Sequence, residues 1–378
     1  MKNSFRKENE MLPTDTQMKR FETLTQLPGI SAHEMRVRDY MKKELARYSA
    51  RFDGEIVFDG LGSVFAVKKS RKPDAPRMMM SGHMDEIGFV VKQITPKGLL
   101  KFFPVGRTWE HVIMAQRVTV YSSINGASFP GAVASIPPHL LPEDMAHKLL
   151  STDQMLVDIG AESKEEVLAS GIRPGDMIVI DGAFVPLMGG KKLLAKAWDN
   201  RFGCALALDV LEEVADEDLD VDLYIGATVQ EESGLRGART AAAMIHPELS
   251  LVFESSAAND ATGDPEELGQ QGKGVLLRHL DRTSITHRGL FMYSTGLAEK
   301  KNIPFQYFMA LGGTDSGEIH TSGSGCPSMT MGVPSRYIHT NSTIMDYRDY
   351  CAAKDFALAF LRSMNRETLE REIMSFSR

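Results

Sequence analysis

The sequence predicts an α/β fold in which a mostly parallel central sheet, flanked by helices, is interrupted by a small β-rich domain. Strand-like and helix-like segments alternate before residue 88 and again after residue 190, as is typical of parallel sheets covered by helices. Residues 88–189 instead contain short alternating segments broken by Gly and Pro. The length of 378 residues exceeds that of one ordinary domain, so two domains are expected.

The first part of the chain reads as two helices followed by three strands. After a polar leader of residues 1–13, a helical pattern covers residues 14–27, and a second begins where Ser31 and Glu34 have the spacing of a capping box. The strand-like runs are EIVFDG, SVFAVKK and PRMMMSG. The last is continuously apolar up to Gly82, which is typical of a buried strand that delivers a loop at its carboxyl end.

The α/β rhythm returns after the β-rich segment, which contains one predicted helix near Lys164–Ala169. The later predicted strands are DLYIGATVQ, LSLVFE and FQYFMA, and the predicted helices cover residues 201–214, 235–245 and 347–364. The economical architecture is one α/β domain split in sequence, residues 14–87 and 190–378, with residues 88–189 inserted as a separate β domain.

The net charge, the N-terminal segment and the cysteines limit the partners and the cellular location that we expect for the chain. With 43 basic and 50 acidic residues the net charge is −7, which disfavours nucleic acid or an anionic membrane as main partner, because both require a basic face. The N-terminal segment MKNSFRKENEMLP lacks an apolar signal core, and no apolar run reaches the ~18 residues of a membrane span. The three cysteines lack metal-knuckle or redox spacing. We therefore expect a cytoplasmic protein with reduced thiols.

Candidate metal ligands follow the predicted strands or open a helix. In open α/β sheets, ligands bind outside the carboxyl ends of the strands, and the segments SGHMDE, AWDNR, QEESG, FESS and YIHT are expected there. The candidate ligands are His83, Asp199, Glu232, Glu254 and His339. Two histidines and three carboxylates can hold two zinc ions if one carboxylate is shared. Asp199, central in chain order, is the expected bridge.

Two further carboxylates are candidates for acid–base and supporting roles. Adjacent carboxylates repel unless a cation or a proton lies close, so Glu231, next to a metal-bound Glu232, can face a water made acidic by the metal pair and take its proton. It would then return the proton to the leaving amine. Asp85 lies two residues after His83 on the same side of an extended segment, where it can accept a hydrogen bond from a ligand imidazole.

Taken singly, each motif has an ordinary structural explanation. An isolated HxD is more often surface or core than metal site, paired glutamates usually lie on a solvated helix face, and GGTDSG alone is turn chemistry. His320, near Asp315, either lines the pocket or makes a structural hydrogen bond. The joint occurrence of five ligands at sheet ends is much less expected by chance.

The motifs SGHMDEIGF, KAWDNRFG, VQEESGLRGA, GGTDSG and PSRYIHT occur in the order seen in the tetrahedral (TET-type) metallo-aminopeptidases, which the chain resembles from about Thr16 to Met364. SIPPHL and KAWDNR are most similar to the glutamyl aminopeptidase branch of that family. The resemblance implies a zinc-peptidase-like fold, a PDZ-like inserted domain that mediates dimer contacts, and dimers that assemble into a hollow tetrahedral dodecamer open to short peptides.

The resemblance also implies roles for the site residues. The two implied ligand sets, which share the bridging Asp199, are His83 with Glu254 and Glu232 with His339. Glu231 would be the general base and Asp85 would support it. At Glu254 the sequence departs from the family pattern, since many relatives have Asp there and Glu reaches one methylene further.

The expected reaction is hydrolytic removal of one N-terminal residue from a short peptide, with the acidic preference that the glutamyl branch suggests. Two divalent ions per subunit are expected, with Zn²⁺ as first choice and Co²⁺ or Mn²⁺ as alternatives. One rival is a metal-dependent deacylase of small N-acyl compounds, since the same metal pair could serve it. Another is a non-catalytic scaffold with the same fold, which would be expected to lack Glu231 or a ligand; none is missing.

Overall fold

The computed structural model describes residues 12–136, 138–140, 148, 150–264 and 266–377. Residues 1–11 of the predicted leader lie outside the described residues. The helices are α1 Asp15–Gln26, α2 Met35–Ser49, α3 Lys164–Ala169, α4 Trp198–Val214, α5 Arg236–Ile245, α6 Arg288–Lys301, α7 Ser316–Ile319 and α8 Tyr347–Ser363. The strands of the first half are β1 Glu55–Phe58, β2 Val64–Lys68, β3 Arg77–His83, β4 Gly88–Ile94, β5 Leu100–Val105, β6 Arg117–Tyr121, β7 Ser128–Val133, β8 Val157–Asp158 and β9 Met177–Ile180. Those of the second half are β10 Val185–Pro186, β11 Lys192–Ala195, β12 Asp222–Thr228, β13 Leu249–Ala258, β14 Val275–Leu280, β15 Phe305–Met309, β16 Ser328–Arg336 and β17 Thr343–Asp346.

The predicted α/β architecture is confirmed, but the large sheet is mixed rather than mostly parallel. Its main path runs β1-β2-β12-β3-β13-β16-β17-β11-β10, and β14 and β15 branch from β16. The pairs β12–β3, β3–β13 and β13–β16 at its centre are parallel, as is β14–β15. The outer pairs β1–β2, β16–β17 and β10–β11 are antiparallel. Their short connections permit only this pairing, because a parallel pair needs a long crossover.

The inserted segment folds as a closed barrel in the order β4-β5-β8-β7-β6-β9. Its own core is separate from that of the large sheet and includes Phe89, Leu100, Val118 and Ile178. The short helix α3 has the predicted bounds. Strand β10 already pairs with β11 of the large sheet, so the barrel strands end before the predicted boundary at Gly189.

Two local predictions differ from the structure. Helix α6 was not among the predicted elements, and its glycines, Gly289 and Gly296, weaken the helical pattern. The capping box at Ser31 and Glu34 is wrong: Glu34 is the N-cap of α2 and makes no side-chain cap bond. The Ser31 hydroxyl instead donates to Asp85 Oδ2 at 2.6 Å. The Ser31 hydroxyl therefore bonds to a carboxylate 54 positions away rather than to a backbone group at the start of α2.

Helix α4 lies against the centre of the sheet and fixes the loop after β3. A Cβ added to Gly82 would lie 2.6 Å from the Gly203 Cα, so strand and helix approach closely. The Arg201 guanidinium is fully buried and donates to the Met84 carbonyl at 2.7 Å and to the Leu24 carbonyl at 2.6 Å. One buried arginine thus ties α1 to the loop that carries Asp85.

Within the described residues, none of the three cysteines takes part in a disulfide. In the described part of the chain, no helix combines the length and apolarity required to cross a bilayer.

Candidate metal centre

The five predicted ligands meet at the carboxyl ends of the central parallel strands. His83 is the last residue of β3, and its register partner Thr228 ends β12, just before Glu232. Glu254 lies within β13, Asp199 lies in the first turn of α4, and His339 follows β16. Parallel strands end at one edge of the sheet, which is where such folds place their ligands.

Asp199 stands between the two histidines. Its Oδ1 lies 3.0 Å from His83 Nε2, and its Oδ2 lies 3.0 Å from His339 Nε2. Glu254 Oε1 lies 3.7 Å from the same His83 nitrogen, and Glu232 Oε1 lies 3.6 Å from that of His339. The ligand atoms form two groups, each within 4.8 Å, that share Asp199.

This donor set fits a pair of divalent cations. Imidazole nitrogen and carboxylate oxygen are ligands that zinc accepts, and one carboxylate with an oxygen towards each group can serve two ions. Glu232 Oε1 is buried and has no hydrogen-bond partner among the described residues. Since a buried carboxylate oxygen without a partner is costly, it favours a bound cation.

Backbone geometry holds Asp199 away from the regular helix. Asp199 and Asn200 have non-helical φ/ψ inside α4, and the peptide bond between them is cis. The Asn200 amide donates to the Phe253 carbonyl at 2.7 Å, and its Oδ1 accepts from the Gly203 backbone N–H at 2.9 Å. The bridging candidate is therefore anchored to β13, the strand that carries Glu254.

Burial and mutual repulsion dominate the electrostatics of the cluster. Burial, reinforced by the Asp199 charge and opposed by His339, raises the pKa of Glu232 to about 8. Burial also raises the pKa of Glu254. For His339, burial lowers the pKa, but the charges of Glu232 and Asp199 outweigh it and raise the value to about 9. Carboxylates crowded in this way are stabilised by nearby positive charge.

Glu231 and Asp85 lie beside the ligands. Glu231 Oε2 is 3.7 Å from His83 Nε2, and burial raises the pKa of Glu231 well above its usual value. The Asp85 carboxylate accepts the backbone N–H groups of Glu231 at 3.0 Å and Glu232 at 3.1 Å. His83 Nδ1 lies 3.0 Å from the Asp85 carbonyl oxygen and 3.4 Å from its carboxylate. Asp85 thus orients both the ligand imidazole and the paired glutamates.

The structure adds neighbours that sequence reasoning did not assign. The Ser31 hydroxyl holds Asp85, and Glu34 Oε1 accepts the Gln230 backbone N–H at 3.0 Å. The capping-box spacing had singled out Ser31 and Glu34 as helix-capping residues. Their side chains instead bond to the Asp85 carboxylate and to the Gln230 backbone. The Arg107 carbonyl lies 2.8 Å from His339 Nδ1, and no side-chain pattern could have shown a backbone contact across 232 positions.

Asp315 and His320, to which the sequence assigned no firm role, have different surroundings in the structure. Asp315 is buried, accepts a hydrogen bond from the Thr228 hydroxyl through Oδ2, and has no partner for Oδ1 among the described residues. His320 Nδ1 lies 2.9 Å from the Ser316 carbonyl oxygen. The contact of His320 is therefore the structural hydrogen bond that the sequence left as one alternative.

Comparison with known proteins identifies the family of the chain. Residues 62–356 match the model of the family described as M42 glutamyl aminopeptidase. The chain is 36% identical to the glutamyl aminopeptidase of Lactococcus lactis, over 91% of this chain and 95% of the relative. It is 35% identical to the putative aminopeptidase FrvX of Escherichia coli, over 91% and 94%.

Solved structures of TET peptidases share the fold of this chain. A TET aminopeptidase from a marine sediment archaeon of the Thaumarchaeota superposes with a TM-score of 0.89 at 35% identity, over 94% of this chain and 99% of that one. The TET1 peptidase of Pyrococcus horikoshii superposes with a TM-score of 0.82 at 27% identity, over 92% and 100%. The chain therefore belongs to the M42 glutamyl aminopeptidase family and is a metal-dependent aminopeptidase.

Proposed function

We propose that two divalent ions occupy the cluster, one held by His83, Asp199 and Glu254 and the other by Asp199, Glu232 and His339. The observation that carries the proposal is the position of Asp199, which presents one oxygen to each histidine Nε2 at 3.0 Å. Zn²⁺ is the first choice for this donor set, with Co²⁺ and Mn²⁺ as alternatives. When bound, such ions would bind the free amine, polarise the scissile carbonyl and acidify the attacking water.

We assign the proton transfers to Glu231. Its Oε2 lies 3.7 Å from His83 Nε2, while its backbone N–H donates to the Asp85 carboxylate. Burial raises the pKa of Glu231, and a carboxylate placed within reach of the attacking water can both accept and return a proton. Glu231 would take the proton of the attacking water and deliver it to the leaving amine. Asp85 would act as a positioning residue that holds Glu231 and His83.

We further propose that Arg278 gives a preference for acidic N-terminal residues. A substrate carboxylate needs a cation close to the metal centre, and burial raises the pKa of Glu254 while the Arg278 charge lowers it, so the two groups interact. Arg278 is buried, donates to Ser256 Oγ at 2.8 Å and pairs with Asp281 Oδ2 at 3.2 Å. Ser256 lies two residues beyond Glu254 on the same face of β13. Arg278 Nε has no hydrogen-bond partner among the described residues.

The assembly is also a proposal. The related Pyrococcus horikoshii TET1 peptidase is described as assembling into a tetrahedron or a large octahedral shell, and another similar structure is described as a dodecamer. We propose that this chain forms homodimers through its inserted barrel, in the manner of a PDZ-like dimerisation domain, and that the dimers form a tetrahedral dodecamer. Light scattering after gel filtration should then give a mass about twelve times the 41.8 kDa of one chain.

Activity assays test the proposed reaction. Metal-free protein should gain activity on Glu-, Asp-, Leu- and Lys-p-nitroanilides when Zn²⁺, Co²⁺ or Mn²⁺ is added, with Glu and Asp preferred. N-acetyl-Glu-p-nitroanilide is the matched control and should not be cleaved, because its amine is blocked. Cleavage of the acetylated substrate alone would favour the deacylase, and failure on every substrate would contradict the proposal.

A further inference from the structure

On the basis of the proposed two-ion centre, we infer that the inserted barrel clamps the loop that carries His339, so that the half-site of Asp199, Glu232 and His339 depends on the position of the barrel. The other half-site, of His83 and Glu254, takes its histidine and glutamate from two strands of the large sheet. Four residues make the barrel side of this clamp: Gly106, Arg107, Gln116 and Asp181.

The barrel backbone fixes the tautomer of His339. Arg107 follows β5, and its carbonyl oxygen lies 2.8 Å from His339 Nδ1. Because a carbonyl only accepts hydrogen bonds, Nδ1 must carry a proton, and Nε2 is the nitrogen directed at Asp199 and available to an ion. The Asp85 carbonyl does the same for His83 at 3.0 Å, but Asp85 follows a strand of the large sheet. The two ligand histidines are therefore oriented by different parts of the molecule.

The His339 loop has a conformation that needs external support. Tyr337 and His339 have φ of 59° and 61°, in the left-handed region that residues with a side chain seldom occupy. Such conformations persist when the surroundings over-determine them. The Asn341 amide supplies this support by donating to Gln116 Oε1 at 2.8 Å and to the Asp181 carbonyl at 2.9 Å. Both acceptors lie at the ends of β6 and β9 in the barrel.

Gly106 allows the barrel to approach the other ligand of this half-site. Its φ is +82°, and an added Cβ would lie 2.6 Å from Ile87 Cγ2 and 3.1 Å from Glu232 Oε2. Any side chain at this position must displace Ile87 or the Glu232 carboxylate. The barrel therefore contacts Glu232 as well as His339.

Two substitutions disturb the clamp without replacing a ligand, and each has a matched control. Gly106→Ala is paired with Gly160→Ala, since Gly160 is also in the barrel with φ +80° and its added Cβ meets nothing within 4 Å. Asn341→Ala is paired with Asn125→Ala, since the Asn125 amide donates to the Ser170 carbonyl at 3.0 Å in an exposed barrel turn. Both controls carry the same chemical change away from the metal centre.

Metal binding is the readout. Metal-free proteins are titrated with Zn²⁺ by calorimetry, and the ions retained after gel filtration are counted by elemental analysis. We expect Gly106→Ala and Asn341→Ala to bind one ion with wild-type affinity and the second roughly 10–100-fold more weakly, the usual effect of losing an outer contact to a ligand. Both controls should bind two ions as the wild type does.

The inferred clamp would be contradicted if both variants bound both ions with wild-type affinity. It would also be contradicted if Asn341→Ala lowered the affinity for both ions equally. If Gly106→Ala does not fold, Asn341→Ala alone decides, with thermal unfolding of the metal-free chain as the folding check. A wild-type chain that binds no Zn²⁺ would instead overturn the two-ion centre, and this is visible before any variant is measured.

Discussion

At the scale of single residues, the adjacent glutamates illustrate how position divides similar side chains between roles. Glu232 Oε1 lies 3.6 Å from His339 Nε2, whereas Glu231 Oε2 lies 3.7 Å from His83 Nε2. The Asp85 carboxylate accepts the backbone N–H groups of both, so the two side chains leave one fixed backbone segment towards different parts of the cluster. The proposed roles, ligand and general base, follow from this divergence.

Glu231→Gln should separate chemistry from metal binding. The amide has nearly the same shape but cannot accept the proton of the attacking water, so kcat should fall roughly 10²–10⁴-fold while the chain retains two ions. Glu232→Gln is the matched comparison and should lose metal as well as activity. Steady-state kinetics and elemental analysis on the same samples check this. A Glu231→Gln enzyme with wild-type kcat would remove Glu231 from the mechanism.

Arg278→Gln should change substrate preference rather than general activity. The substitution removes the charge that we propose attracts an acidic substrate, but it retains a group able to hydrogen bond to Ser256. A charged hydrogen bond contributes about 1.5–3 kcal/mol, so kcat/KM for Glu-p-nitroanilide should fall about tenfold or more relative to Leu-p-nitroanilide. Arg336→Gln, which removes an arginine paired with Asp260, should leave the ratio unchanged. An unchanged ratio in Arg278→Gln would exclude this residue as the determinant.

At the scale of elements, the sequence predicted most of the regular segments, although not α6, and where the candidate ligands lie on them. The apolar run of β3 and the helical pattern of α1 are local, so the sequence displays them directly. The edges of the sheet and the true partner of Ser31 depend on contacts between distant segments. That is why the mixed pairing of the sheet and the link from Ser31 to Asp85 were not predicted.

The packing of α1 against α4 depends on one buried carboxylate. Asp209 pairs with Arg20 and accepts hydrogen bonds from Tyr350 Oη at 2.9 Å and Gln17 Nε2 at 3.3 Å. Both members of the ion pair are about 95% buried or more. Arg20 would keep the partly exposed Glu212, at 3.0 Å, but would lose its buried partner. Breaking a buried pair is strongly destabilising, so Asp209→Asn should lower the free energy of unfolding by roughly 3 kcal/mol.

The control is Asp216→Asn, which removes an exposed partner of Arg51. Exposed pairs contribute about 1 kcal/mol or less, so this change should hardly alter stability. Urea unfolding followed by circular dichroism measures both variants. Equal midpoints for Asp209→Asn and Asp216→Asn would contradict the assigned importance of the buried pair.

At the scale of the whole molecule, the sequence predicted an α/β unit with an inserted β unit, but not how closely the two cooperate. The five candidate ligands could be proposed from the sequence because each is a chemically distinctive side chain in a recognisable motif. The contacts of Gly106 and Arg107 with the ligands involve a missing side chain and a backbone carbonyl. Neither a missing side chain nor a backbone carbonyl produces a recognisable spacing of residue types along the sequence.

Removing metal should lower the stability of the whole chain. Ions that bind only the folded state stabilise it by about 2.7 kcal/mol per site when free metal is 100 times its Kd. Thermal unfolding should therefore begin at lower temperature in EDTA, and added Zn²⁺ should restore it. Mg²⁺ provides the control, because it retains its water shell and prefers octahedral oxygen sites. Identical melting curves with and without Zn²⁺ would contradict binding at the cluster.

The most direct test of the two-ion centre is the metal content of the wild type and of Asp199→Asn after loading with Zn²⁺ and gel filtration. Asp199 offers an oxygen to each histidine, so the wild type should retain two ions per chain and Asp199→Asn should lose tight binding of both. Two tightly bound ions in Asp199→Asn, or none in the wild type, would contradict the account.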